Sequence, residues 1–140
     1  MESAREILVK PTQFMNQVLL RNGELGRSAC EIMAAAINAV DPYKIVQQTV
    51  SKSTKDLLIG EDAFALQEIE RIFLIGFGKA SVPMTKALLD VFEGEVYFAE
   101  CVTKNEKFLA EAGYQGKLQV HLGGHPIPTK ASLESTRAVL

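Results

Sequence analysis

The sequence predicts an α/β fold, a parallel sheet with flanking helices behind a helical N-terminal lead-in. Three observations carry that prediction. The run Ile72 to Ile75 is short, bulky and apolar, as a strand buried in a parallel sheet requires. After it, Met84, Ala87, Leu88, Val91 and Phe92 fall at i, i+3, i+4, i+7 and i+8, which is one apolar face of a helix. Two further apolar runs, Val96–Thr103 and Leu118–Leu122, repeat the alternation of strand and helix, which implies βαβ units with right-handed crossovers.

The lead-in is read over residues 1–56 and the βαβ portion over 57–140. Phe14, Met15, Val18 and Leu19 have helical spacing, started or bent by Pro11 and stopped at Asn22-Gly23. Ser28 can cap a second helix, the alanine-rich stretch from Ala29 to Val40. Asp41-Pro42 suits the N-cap and first position of a third, running through Val50. Ser51 to Lys55 reads as a polar linker, and Leu57 to Glu70 is ambiguous. Asn105 to Tyr114 reads as a short helix or exposed loop, and a final helix starts near Lys130. That helix still has its spacing at Leu133, Thr136 and Leu140 with no C-cap following, so the pattern reads as truncated.

Function is concentrated where the first βαβ strand meets its helix. In Ile75-Gly-Phe-Gly-Lys-Ala-Ser81, Gly76 and Gly78 permit a sharp turn and a close approach. Lys79 and Ser81 fall at the start of the helix, where unpaired N–H groups and the helix dipole favour an anion. The alternative is a tight connection with Lys79 solvated, and residue types alone leave both open. A phosphate-binding P-loop is excluded, because Phe73 stands where its first glycine belongs and Ala80 where it needs Ser or Thr. A dinucleotide fingerprint would need Gly or Ala in place of Ser81, and Glu100, toward the end of the next strand, is only a weak candidate for its ribose-binding acid. A second glycine loop, Gly123-Gly-His-Pro-Ile-Pro128, follows the third strand. Ligands of such sheets bind beyond the strand C-terminal ends, so Lys79 and the Gly124-His125 turn are expected on one rim.

Composition removes several classes. With 47% apolar and 23% charged residues the chain reads as globular, and a net charge of −2 gives no electrostatic case for nucleic acid or an anionic membrane. No apolar run approaches a membrane span and the first residues lack a signal-peptide core, so a cytoplasmic location is expected. Cys30 and Cys101 are expected to be buried thiols rather than a disulfide, and two histidines without clustered cysteines give no metal site.

Taken together and in this order, Ala39-Val-Asp-Pro42, Ile75-Gly-Phe-Gly-Lys-Ala-Ser-Val-Pro-Met84 and Gly124-His-Pro-Ile-Pro128 with the following Ala-Ser-Leu133 resemble the MOFRL-type glycerate 2-kinases, also called hydroxypyruvate reductases in older usage. The similarity covers nearly the whole chain. It implies a Rossmann-like α/β domain, here the partial N-terminal domain of a larger two-domain enzyme. It also implies transfer of the γ-phosphoryl group of ATP to glycerate, giving 2-phosphoglycerate and ADP, with Mg2+ as cofactor and room for a homo-oligomer. On this resemblance Lys79 is the catalytic lysine of the cleft, and Gly76, Gly78, Lys79, Ser81, Gly124 and His125 line the substrate. His125 either fixes its loop by hydrogen bonds or acts as acid or base.

The chain departs from the family at Thr129-Lys130, where Asp-Glu is common, so any acidic role there is absent while Thr129 still caps the last helix. The family's later glycine-rich segment and small domain have no counterpart within 140 residues, so the chain is expected to be inactive by itself. Two other readings compete. A sugar-phosphate-binding module of the sugar-isomerase type would use the first loop and its serine but gives Gly-His-Pro-Ile-Pro no task. A non-catalytic subunit would take its missing half from another chain.

Overall fold

A computed structural model of the chain describes residues 9–140, so the first residues of the expected lead-in lie outside the described part. The described chain forms two compact units that divide between Asp41 and Pro42.

The first unit is helical. A 3-10 turn, Pro11–Phe14, precedes the short helix α1, Gln17–Arg21. Asn16 caps α1, its Oδ1 accepting from the N–H groups of Val18 and Leu19 at 3.0 Å each. The long helix α2 runs from Gly23 to Ala39. Ser28 is therefore inside α2 and not its cap: Asn22 ends α1 and opens α2 with no loop between them. Asn38 near the end of α2 ties down the start of the described chain, donating to Val9 O and accepting from Val9 N, each at 2.9 Å.

The second unit opens with α3, Pro42–Thr49, its proline at the first position, where a missing N–H costs nothing. Residues 50–65, expected as the helix end, a linker and an ambiguous stretch, instead form a small antiparallel sheet. Its strands are β1 Val50–Lys52, β2 Asp56–Ile59 and β3 Asp62–Ala65. Ser53 makes the first turn, its hydroxyl accepting from the N–H groups of Lys55 and Asp56 at 3.1 and 2.9 Å. Of the polar residues that read as a linker, Ser51 and Lys52 belong to β1 and Ser53 to Lys55 are the turn of a hairpin.

The parallel sheet follows as predicted: β4 Ile72–Phe77, β5 Val96–Thr103 and β6 Leu118–Leu122, side by side in that order. Helix α4, Ser81–Phe92, crosses from β4 to β5 with Pro83 in its first turn. Two short 3-10 turns, Glu106–Glu111 and Tyr114–Gly116, join β5 to β6, and α5, Lys130–Val139, lies against β5 and β6. The core joins α4 (Val82, Ala87, Leu89, Phe92) to the sheet (Leu74, Val96, Ala99, Cys101, Leu118, Val120), with Val46, Val50 and Leu57 behind. Leu89 and Leu118 are fully buried, worth roughly 1.5–3 kcal/mol each by transfer of their apolar surface.

β4 is an edge strand with only one face covered. Leu74 is buried while Phe73, Ile75 and Phe77, on the other face, are 46, 49 and 63% exposed. The apolar run led to an expectation of burial on both faces; its composition suits a covered strand whether or not the cover is within these residues.

Candidate functional site

The three parallel strands end together, with Phe77 paired to Val102 and Thr103 to Leu122. Each end is stitched to its neighbour. Gly78 N donates to Val102 O at 3.0 Å, and Gly123 N donates to Thr103 O at 2.9 Å. Beyond these ends lies a cavity of about 630 Å3. Phe77, Gly78, Lys79 and Ala80 line it from the first loop, Val102, Thr103 and Lys104 from the end of β5, and Gly123, Gly124 and His125 from the second loop. Ser132 and Thr136 of α5 close it. The structure thus brings Gly78, Lys79, Gly124 and His125 onto one rim.

Gly78 has φ +103°, a conformation that L side chains rarely adopt. Its carbonyl accepts from both the N–H (3.3 Å) and the hydroxyl (2.8 Å) of Ser81, which fixes the turn into α4. Ser81 is therefore buried and engaged with the backbone instead of facing the cavity. Gly76 also does not line it. A Cβ there would meet Cys101 Sγ, Ser81 Cβ and Thr85 Oγ1, each at 3.0 Å, so the close approach that demands glycine is by the protein's own helix and neighbouring strand.

The second loop is held from α5. Ser132 Oγ accepts from Gly124 N at 2.8 Å and from Thr129 N at 3.0 Å. A Cβ on Gly124 would lie 2.6 Å from Ile127 O and from Thr129 Cγ2, so the loop can fold this tightly only with glycine. Ser132 does the fixing that His125 was considered for. Among the described residues the exposed His125 ring has no hydrogen-bond or ion-pair partner.

Lys79 is exposed, and its ammonium likewise has no such partner among the described residues. Lys104 is in the same condition, and the sequence reading missed it. The signal was there: Lys104 is the first residue after an apolar strand of a parallel sheet, where ligand-facing residues concentrate. Glu100, by contrast, sits mid-strand, and its carboxylate is taken by His121, with Nε2 at 2.6 Å from Oε2. It is not placed to bind a ribose at the strand ends. Cys101 is buried against Thr85, its Sγ 3.0 Å from Thr85 Oγ1, and burial pushes its thiol pKa up, which disfavours the thiolate. Cys30 is also free and buried. Among the described residues no three His, Cys, Asp or Glu side chains are grouped to hold a metal.

The chain is thus a Rossmann-like α/β layer with a lysine-bearing cavity beyond its strand ends. Residues 28–140 match the family model described as a domain of unknown function, DUF4147, and the chain belongs to that family. Its relatives include the D-glycerate 2-kinase of Thermotoga maritima, 28% identical over 116 residues, which cover 83% of this chain and 24% of that protein. The glycerate 2-kinase of Pyrococcus horikoshii is 30% identical over 112 residues, covering 78% of this chain and 23% of that protein. The chain therefore spans about a quarter of the length of these curated relatives. The crystal structure of the PH0495 protein from Pyrococcus horikoshii is similar in fold, with a TM-score of 0.59 and 24% identity over 78% of this chain and 23% of that one. No helix among the described residues is long and apolar enough to cross a membrane.

Proposed function

We propose that this chain carries the acceptor-binding rim of an ATP-dependent glycerate 2-kinase, which converts glycerate and ATP to 2-phosphoglycerate and ADP. The observation that carries the reading is the unpaired Lys79 ammonium in one cavity with the Gly78 and Gly124-His125 loops. Glycerate offers a carboxylate and two hydroxyls. Lys79 suits the carboxylate as a point charge and also suits the charge that gathers on a phosphoryl group in transfer. His125, exposed and without a partner, is within the same cavity to meet a hydroxyl. Phe77, Ala80 and Val102 make part of the lining apolar, and the hydroxyls of Thr103, Ser132 and Thr136 beside them are bonded within the protein.

The phosphates of ATP find a matching charge in Lys79 and Lys104. For Mg2+ the described residues offer no set of three ligating side chains. Magnesium held by nucleotide phosphates commonly takes only one or two carboxylates from the protein. The sugar-phosphate reading is weakened, because Ser81, the hydroxyl it relied on, is committed to Gly78 O.

The test is titration of the chain with D-glycerate and 2-phosphoglycerate, followed by backbone amide shifts and calorimetry. Shifts at Gly78, Lys79, Gly124 and His125 are expected, and Lys79→Ala should abolish saturable binding while leaving the thermal melt unchanged. Wherever the chain occurs with kinase activity, the same variant should lose several kcal/mol in kcat/KM, and Lys79→Arg should recover only part. Undiminished binding by Lys79→Ala would return Lys79 to a solvated surface residue.

A further inference from the structure

We infer that Lys104 is a second cation of this site, standing with Lys79 between two compartments and taking phosphate oxygens on the side away from the glycerate loop. The inference rests on the kinase reading above and goes beyond it in assigning which end of the rim receives phosphate, and through which side chain. Lys79 and Lys104 both line the 630 Å3 cavity. Both also line an adjoining cavity of about 470 Å3, whose remaining walls are Asn105, Glu106 and Lys107. Two separate strand ends, those of β4 and β5, thus present ammonium groups to the same two spaces.

The charge arrangement argues for an anion between them. Three other lysines of this unit pair with carboxylates, Lys52 with Glu95 at 2.7 Å, Lys86 with Glu111 at 2.7 Å and Lys130 with Glu134 at 3.4 Å. Lys55, Lys107 and Lys117 have no ion pair among the described residues, and of these only Lys107 borders either cavity. Lys79 and Lys104 have none among the described residues, although the chain carries more carboxylates than cations. Two unpaired like charges at one rim raise the local potential, which a multiply charged ligand neutralises.

The two compartments differ in what they offer. The first is lined by the two glycine loops, apolar Phe77 and Val102, and the His125 imidazole, and takes the small hydroxy acid on the reading above. The second adds Lys107 to the two shared lysines and holds Glu106 as its one acid, leaving it net basic. Asn105 Oδ1 accepts from Lys107 N at 3.2 Å, which fixes the turn that carries Lys107. A phosphate chain fits the second space better than the first, with Lys104 at the divide.

The experiment titrates the chain with inorganic pyrophosphate and, separately, with D-glycerate, reading amide shifts and calorimetric Kd. Wild type is compared with Lys104→Ala, Lys104→Arg and Lys55→Ala, the last removing an exposed positive charge in the β1–β2 turn. Pyrophosphate should shift the amides of Lys104 to Lys107, and Lys104→Ala should weaken it by about tenfold or more, as expected for a lost charge-assisted contact. Lys104→Arg should restore most of the affinity and Lys55→Ala should change nothing. Glycerate shifts at Gly124 and His125 should survive Lys104→Ala.

If pyrophosphate is indifferent to Lys104 while glycerate binds, the inference falls and the kinase reading stands. If pyrophosphate depends on Lys104 but glycerate does not bind, the acceptor reading falls and the phosphate site stands. Equal weakening by Lys55→Ala would reduce the effect to net charge and overturn the inference, as would the failure of both ligands to bind.

Discussion

Gly76 and Gly78, two residues apart, do different work although residue type alone could not separate them. Glycine says that a side chain is not tolerated; it does not say whether a ligand, the backbone or a neighbouring helix excludes it. Gly78 is fixed by its positive φ and borders the cavity, whereas Gly76 makes room for Thr85, Ser81 and Cys101. Lys79 and His125 were legible because strand-end loops of a parallel sheet collect on one edge. Lys104 was missed because it lies outside both glycine loops, and only its place directly after the C-terminal end of β5 marked it. Gly76→Ala is expected to cost roughly 1–3 kcal/mol through overpacking, seen as a lower Tm, with glycerate affinity nearly unchanged. Gly124→Ala should do the reverse. Its Cβ would meet Ile127 O and Thr129 Cγ2 within an exposed loop, so the loop shifts, Tm moves little and glycerate Kd rises. A common pattern in the two variants' melts and titrations would contradict this division of roles.

Among the elements, the regular ones of the βαβ portion were readable to within a few residues and the irregular ones were not. Strands β1 to β3 are three or four residues long, too short for alternation to register against the polar Ser53-Thr54-Lys55 turn. Ser28 looked like a cap because the sequence does not reveal that Asn22 ends one helix and begins the next. Tertiary ties between elements were invisible for the same reason of range. Asp90 on α4 accepts from Tyr43 of α3, from Tyr114 at 2.9 Å and from Gln115 at 2.5 Å, partners 24 to 47 residues away in sequence. This carboxylate pins α3 and the turn before β6 to the crossover helix. Burial, and then the hydrogen bond to Asp90, push the Tyr114 pKa up from 10.0 to about 12. A raised phenol pKa means that the folded state favours the neutral ring. Its contribution to stability is therefore whole below pH 10 and lost as pH rises through 12. Thermal melts on the alkaline side should fall more steeply for wild type than for Tyr114→Phe, which has no proton to lose. Parallel curves would remove Tyr114 from the account. At neutral pH, Asp90→Ala should cost about 1–3 kcal/mol, because two half-buried tyrosine hydroxyls and the exposed Gln115 amide lose one acceptor.

At the scale of the whole molecule, the division at Asp41–Pro42 falls at the dipeptide that the sequence marked as a helix start, and not at residue 56, where the lead-in was expected to end. The reason lies in the core. Val46, Val50 and Leu57 belong with α4 and the parallel sheet, so α3 and the small antiparallel sheet are part of the second unit. The two units differ in what they bury. In α2 the buried residues are Gly26, Cys30 and Ala34, all small, whereas the second unit buries Leu, Val and Phe side chains throughout α4 and its strands. Apolar area removed from water sets most of the free energy that resists opening, so the first unit should open locally at lower cost. Each unit contains one free, fully buried cysteine, Cys30 in the first and Cys101 in the second. Native-state labelling with a thiol reagent, mapped by peptide mass, should therefore modify Cys30 before Cys101, by roughly tenfold or more in rate. Mild denaturant should widen the interval until the second unit unfolds. Labelling of both cysteines at one rate under all conditions would mean that the chain opens as a single cooperative body, and the argument from small buried residues would fail.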